Sequence, residues 1–106
     1  MSVAYQGHYH DQLVAQLASG MRSQGINALT EVSLCLGASC ARIDIMGRDP
    51  TGNLFALEVK TGLNPKFTAG QLAVYPHLRG GNVLMSPDAK IGQLGLATGV
   101  PLPPIN

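Results

Sequence analysis

Three residues in the stretch "ARIDIMGRDPTGNLFALEVKTG" (residues 41–62) could act together chemically: Asp44, Glu58 and Lys60. The chain carries 7 Lys+Arg and 6 Asp+Glu. Six of these, Arg42, Asp44, Arg48, Asp49, Glu58 and Lys60, fall in this one segment, among Ile, Leu, Phe and Val, which favour strands. Carboxylates are the preferred ligands of hard divalent cations. A cation held this way polarises a phosphate and generates hydroxide from water, and a nearby lysine stabilises developing charge or orients the attacking water. The chemistry this set points to is metal-assisted attack on phosphate.

These residues must be positioned by the elements around them. "HDQLVAQLASGMRSQG" (10–25) has Leu13, Val14, Leu17 and Met21 at helical spacing, with Gly25 placed to end the helix. "ALTEVSLCL" (28–36), "CARIDIMG" (40–47) and "LFALEVKTG" (54–62) read as strands joined by the turn-forming "GAS" and "RDPTGN", a meander. "NPKFTAGQLAVYPHL" (64–78) reads as a second helix, with Asn64 as cap and Pro65 at the first helical position. "GGNVLMS" (80–86) reads as a short fourth strand. The remainder, "PDAKIGQLGLATGVPLPPIN", reads as a weak helix and a Pro-rich tail. The expected architecture is a single α/β domain spanning residues 1–106.

A register follows from the turns. Turning the second hairpin about Thr51 sets Asp44 opposite Glu58 and Arg42 opposite Lys60. Turning the first between Gly37 and Ala38 sets Cys35 opposite Cys40, Ser33 opposite Arg42 and Glu31 opposite Asp44. Glu31, Asp44 and Glu58 would then form a row across three strands, roughly 5 Å between neighbours. Ile43, Ile45, Phe55, Leu57 and Val59 would face a core under a helix, leaving the charged face open. A row of like charges destabilises a sheet unless a proton or a divalent cation neutralises it. The competing reading is an exposed sheet face laced with cross-strand ion pairs.

At these residues the sequence resembles the PD-(D/E)XK nuclease superfamily, the restriction-endonuclease-like fold. That family carries an acid on one strand (here Asp44 in "RIDIMG") and then (D/E)-x-K on the next (Glu58-Val59-Lys60 in "LEVKTG"). Many members add Q-x-x-x-Y on the following helix, where this chain has Gln71 and Tyr75 in "GQLAVYPHL". The resemblance covers about residues 8 to 85 and implies an αβββαβ core with a mixed central sheet flanked by helices. It implies that Asp44, Glu58 and the Val59 carbonyl hold Mg²⁺ (or Mn²⁺), with Glu31 at a second metal or a water. Lys60 would activate the attacking water, and Gln71 and Tyr75 would orient the site or touch the substrate. Two departures stand out: Ile43 in place of Pro before Asp44, and no upstream acid on the first helix beyond Asp11, which sits beside His8 and His10. Lys66, Arg42 and Arg79 are candidate phosphate contacts.

The resemblance further implies phosphodiester hydrolysis of nucleic acid, with DNA favoured and transfer RNA or other RNA as the alternative. The small size resembles the C-terminal toxin domains of exported bacterial proteins, which act in the target-cell cytoplasm and are blocked by a cognate immunity protein. The alternatives are a cytoplasmic junction-resolvase or repair nuclease of the same fold, and an inactive nuclease-like binding module.

Other features are less specific. "TAGQ" (68–71) is also a Thr-x-x-Gln capping box, which would turn Gln71 back to the helix start, and Glu31 has an alternative partner in Arg42. Cys35 and Cys40 read as buried thiols, a cross-strand disulfide, or half of a zinc site with His8 and His10. The net charge of +1 lacks the basic excess of a typical nucleic-acid binder, so any polyanion would have to meet a local patch or a bound cation. No run approaches the ~20 apolar residues of a membrane span, and "MSVAYQGHYH" lacks the pattern of a secretory signal.

Overall fold

The computed structural model describes residues 3–60 and 67–106, with side chains from Tyr9 onward. The chain order is α1 (Val3–Ser23), β1 (Asn27–Leu36), β2 (Ser39–Arg48), β3 (Leu54–Leu57) and α2 (Ala69–Val74), followed by 3₁₀ segments at Tyr75–His77 and Ala89–Leu94. Helix α1 stops where Gly25 takes a left-handed φ of +83°. Ile26 N–H then bonds back to the Met21 carbonyl and Gly25 N–H to that of Arg22, which satisfies carbonyls the helix end leaves free.

The strands form one antiparallel sheet, β1-β2-β3, in the register expected from the two turns. Cys35 faces Cys40, Ser33 faces Arg42, and Ile45 faces Leu57. The β1–β2 turn places Gly37 at φ +59°. The β2–β3 turn is tied by Asp49, whose Oδ1 accepts from Thr51 N (3.0 Å), Thr51 Oγ1 (2.6 Å) and Asn53 N (2.9 Å). These bonds, the one from Thr51 Oγ1 foremost, hold the Asp49 carboxyl below its ordinary range.

Five expectations need correction. Among the described residues the sheet is antiparallel rather than mixed, and the expected fourth strand is a single antiparallel bridge, Cys35 to Met85. Strand β3 ends at Leu57, so Glu58–Lys60 leave the ladder. The sheet packs two apolar clusters rather than one, with Glu31 and Arg42 left exposed. Val14, Ala18, Ala28 and Ile45 pack together on one side with Met21, Phe55 and Val59. On the other, Leu29, Val32, Leu34, Ile43, Met46 and Leu54 pack with Val74, Leu84, Ile91, Leu102 and Ile105. Finally, α2 begins at the Thr68 cap, and the expected start at Asn64-Pro65 lies outside the described residues, as does Lys66.

The C-terminal tail is a structural part of the core. Asn106 exchanges backbone hydrogen bonds with Leu54 and Ala56, Ile105 N–H bonds to the Leu78 carbonyl, and Leu102 pairs with Leu84 and Asn82. The tail thus covers the outer edge of β3, which would otherwise present unpaired backbone groups. Gly70 lets α2 lie against β2: a Cβ there would collide with the Cys40 carbonyl oxygen.

Candidate active site

Where the β2–β3 ladder ends at Ile45–Leu57, the next pair in register is Asp44 and Glu58. Asp44 is 8% exposed, and its Oδ2 accepts from the Val59 backbone N–H at 2.8 Å. A side chain has therefore taken over the donor freed by the end of the ladder. Glu58 lies within hydrogen-bonding reach of Asp44. Burial first, and then the hydrogen bond and charge of Asp44, push the Glu58 carboxyl up to about 8, while Lys60 and His10 pull it the other way. Two facing carboxyls share a proton for this reason: the second charge is costly until a cation or proton offsets it.

Gln71 joins the two halves of the site. Thr68 and Gln71 form the capping box of α2: Gln71 Oε1 accepts from Thr68 N–H at 2.9 Å, and Thr68 Oγ1 accepts from Gln71 N–H at 3.1 Å. The same amide donates from Nε2 to Glu58 Oε2 at 3.2 Å. The capping and site readings of Gln71 are therefore compatible, because one end of the amide serves each. Lys60 is exposed, with Nζ 4.5 Å from the centre of the Phe67 ring, and among the described residues it makes no ion pair. Tyr75 meets Phe67 edge-on at 5.8 Å.

Glu31 does not join this group. Its φ of +54° interrupts the ladder between Thr30–Ile45 and Val32–Ile43. The Thr30 and Glu31 carbonyls accept from Lys90 Nζ at 2.9 and 3.0 Å. The Glu31 carboxylate is exposed, with Arg42 at 3.7 Å. The three-carboxylate row thus fails at its first member, and its failure has a local cause: regular alternation along β1 breaks at the left-handed residue. Arg42, expected beside a substrate, pairs with Glu31 instead. Cys35 and Cys40 form a disulfide, which removes the zinc alternative.

The residue that sequence reasoning missed is His10. Its Nε2 lies 2.9 Å from the Val59 carbonyl and 3.2 Å from Asp44 Oδ2, and its Nδ1 lies 3.4 Å from Asp11 Oδ1. A carbonyl and ionised carboxylates accept only, so this setting calls for a proton on both ring nitrogens. Burial disfavours the charged ring, but the Asp11 hydrogen bond, the Asp44 charge and the Val59 carbonyl outweigh it and raise the His10 pKa. The His10 ring therefore bridges the Val59 carbonyl and the Asp44 Oδ2 that Val59 N–H also meets. A signal existed in the sequence: His10 stands beside Asp11 on the first helix.

Among the described residues, no three His, Cys, Asp or Glu side chains are grouped to hold a metal ion. The oxygen donors at hand are Asp44, Glu58 and the Val59 carbonyl. No helix of the described residues is long and apolar enough to cross a membrane. No family model, curated protein or solved structure matches the chain.

Proposed function

We propose that the chain is a metal-dependent nuclease of the PD-(D/E)XK type that hydrolyses phosphodiester bonds in nucleic acid. The observation that carries this reading is Asp44 beside Glu58, where burial and then the neighbouring Asp44 push the Glu58 carboxyl up to about 8. Perturbed carboxyls converging beside a lysine are a mark of functional sites. The donor set is two carboxylates and a carbonyl, all oxygen, which suits Mg²⁺ or Mn²⁺ with water completing the shell. When bound, such an ion would supply Lewis-acid polarisation and an ionised water.

The protein groups then have separate tasks. Val59 N–H fixes one Asp44 oxygen, leaving the other to bind. Gln71 Nε2 fixes the Glu58 carboxyl from α2. Lys60 has no carboxylate partner among the described residues, so its ammonium can orient the attacking water or meet the phosphate. His10 meets the same Asp44 oxygen as Val59 N–H, and it must yield its hold on the Val59 carbonyl for that carbonyl to serve a cation. Support for the αβββαβ core comes from the order α1-β1-β2-β3-α2 with a bridge at Met85 on the β1 edge.

The reading extends to a toxin domain of an exported protein, neutralised by an immunity protein covering the active site. A disulfide between Cys35 and Cys40 supports passage through an oxidising compartment, where such bonds form and persist. A second reading, a nuclease-like binding module without activity, draws on one observation: the His10 ring already occupies the Val59 carbonyl, one of the oxygens a cation would use. Calorimetric titration with Mg²⁺ and Mn²⁺, run beside cleavage of plasmid DNA and total RNA, separates the two. Metal binding with EDTA-sensitive cleavage that is lost in Glu58→Ala supports the nuclease. Cleavage at the wild-type rate in that variant would end the assignment.

A further inference from the structure

We propose that the open groove beside the paired carboxyls is a nucleobase subsite, which receives an unpaired base next to the scissile phosphate and makes single-stranded or locally melted nucleic acid the substrate. The inference rests on the nuclease reading and names the substrate form that the same site would take. The groove is lined by Phe67, Gln71, Leu72, Tyr75 and Pro76 and encloses about 310 Å³.

Its walls have the chemistry of base recognition. Phe67 is 54% exposed and Leu72 64%, an unusual exposure for two large apolar side chains beside a charged site. Phe67 is held edge-on against Tyr75, so its ring stands as a fixed surface. Aromatic platforms of this kind stack bases of any identity, because every base has a π-face. Tyr75 forms part of the same wall, with its hydroxyl buried rather than turned into the groove.

The groove is joined to the candidate active site by two side chains. Gln71 lines it and also donates to Glu58 at 3.2 Å. Lys60 rests 4.5 Å above the Phe67 ring. A phosphate arriving between Lys60 and the carboxyls would draw the ammonium away and free the ring for the attached base. Phosphate and base are neighbours in one nucleotide, and here their binding groups are neighbours on the protein. A protein or lipid occupant would need the apolar walls but not the amide and ammonium at the rim.

The charge balance argues the same way. Duplex binders derive much of their affinity from many lysine and arginine contacts to phosphate, and this chain has a net charge of +1. Stacking must then supply a larger share of affinity, and a base inside a duplex has no free face to offer.

The test uses the full chain carrying Glu58→Gln in Mg²⁺, so that substrate survives. The probes are fluorescent 12-nucleotide single strands of RNA and DNA, the same sequences as duplexes, and single strands containing 2-aminopurine. Single strands should bind at least tenfold tighter than duplexes, and 2-aminopurine emission should fall on binding. Phe67→Ala should weaken single-strand binding roughly 5- to 150-fold, the range expected for losing one stacked base, and abolish the quenching, while Phe67→Tyr retains both. Equal binding of single and double strands, no binding of single strands, or a Phe67→Ala variant that binds and quenches like its parent would overturn the inference. Failure of the nuclease reading is distinguishable. Duplex cleavage by the wild-type chain, unaffected by Phe67→Ala, removes the subsite and leaves the nuclease. Single-strand binding with no cleavage removes the nuclease and leaves a base-binding module.

Discussion

Replacing Glu58 with Gln in metal-free protein should change how stability depends on pH. The Glu58 carboxyl moves from an ordinary 4.5 to about 8 on folding, so between those values the native chain binds more protons than the unfolded chain. Stability then falls as pH rises through that window. At full effect the gap is ~4.8 kcal/mol, taking ~1.36 kcal/mol for each tenfold step in acidity. Glu58 is only partly buried and is screened by solvent, which reduces this to ~1–2 kcal/mol. The amide of the Glu58→Gln variant would keep the hydrogen bonds to Asp44 and Gln71 without acquiring charge. The E58Q chain should therefore match wild type below about pH 4.5 and exceed it at pH 8.5 in EDTA. For a domain of this size, ~1–2 kcal/mol corresponds to a rise of roughly 4–12 °C in Tm. The raised His10 pKa works in the same direction. Its contribution is full below about 6.5 and fades as pH rises through the raised value, so wild type should lose stability on the alkaline side from both groups. Thermal melts across pH 4–9 read this directly. Parallel curves for wild type and E58Q would refute the Asp44–Glu58 coupling on which the site is built.

Gly70→Ala should destabilise the chain by about 1–3 kcal/mol through overpacking against the Cys40 carbonyl and should lower cleavage as well, since α2 carries Gln71; melts and rates moving independently would contradict this. Replacing both Cys35 and Cys40 with Ser should cost about 2 kcal/mol, the loop-closure value for so short a loop, measurable as a lowered urea midpoint with the slope little changed. Glu31→Gly should leave cleavage intact and be neutral or stabilising by up to ~1 kcal/mol, because Gly adopts positive φ without strain; a loss of activity would restore Glu31 to the site.

The strand register is readable because turn chemistry fixes it. Gly37-Ala38 and the "RDPTGN" loop have one natural pairing each, and that pairing places Cys35 at Cys40 and Asp44 at Glu58. The failure of the three-acid row is not readable, because it turns on a single residue, Glu31, leaving the β region. Nothing in "LTEVS" demands this, and Lys90, a residue 59 positions further on, holds the carbonyls at the break. The second apolar cluster is equally hidden. A Pro-rich tail carries no periodicity, yet its Leu102 and Ile105 are as buried as any strand residue. The sequence poses Gln71 as a choice between cap and site, whereas an amide has two ends and this one uses both. His10 escapes because its partners, Asp44 and Val59, are 34 and 49 residues away, and helix periodicity alone gives a histidine no address.

The most direct test of the central claim is the single-turnover rate at which purified protein cleaves DNA and RNA strands in Mg²⁺, measured for wild type and Lys60→Ala. The account predicts EDTA-sensitive cleavage by wild type, a rate lower by about 10²–10³ in the variant, as for loss of one transition-state donor, and substrate affinity changed only a few-fold. Cleavage by Lys60→Ala at the wild-type rate, or no cleavage of any strand by wild type in Mg²⁺ or Mn²⁺, would contradict it.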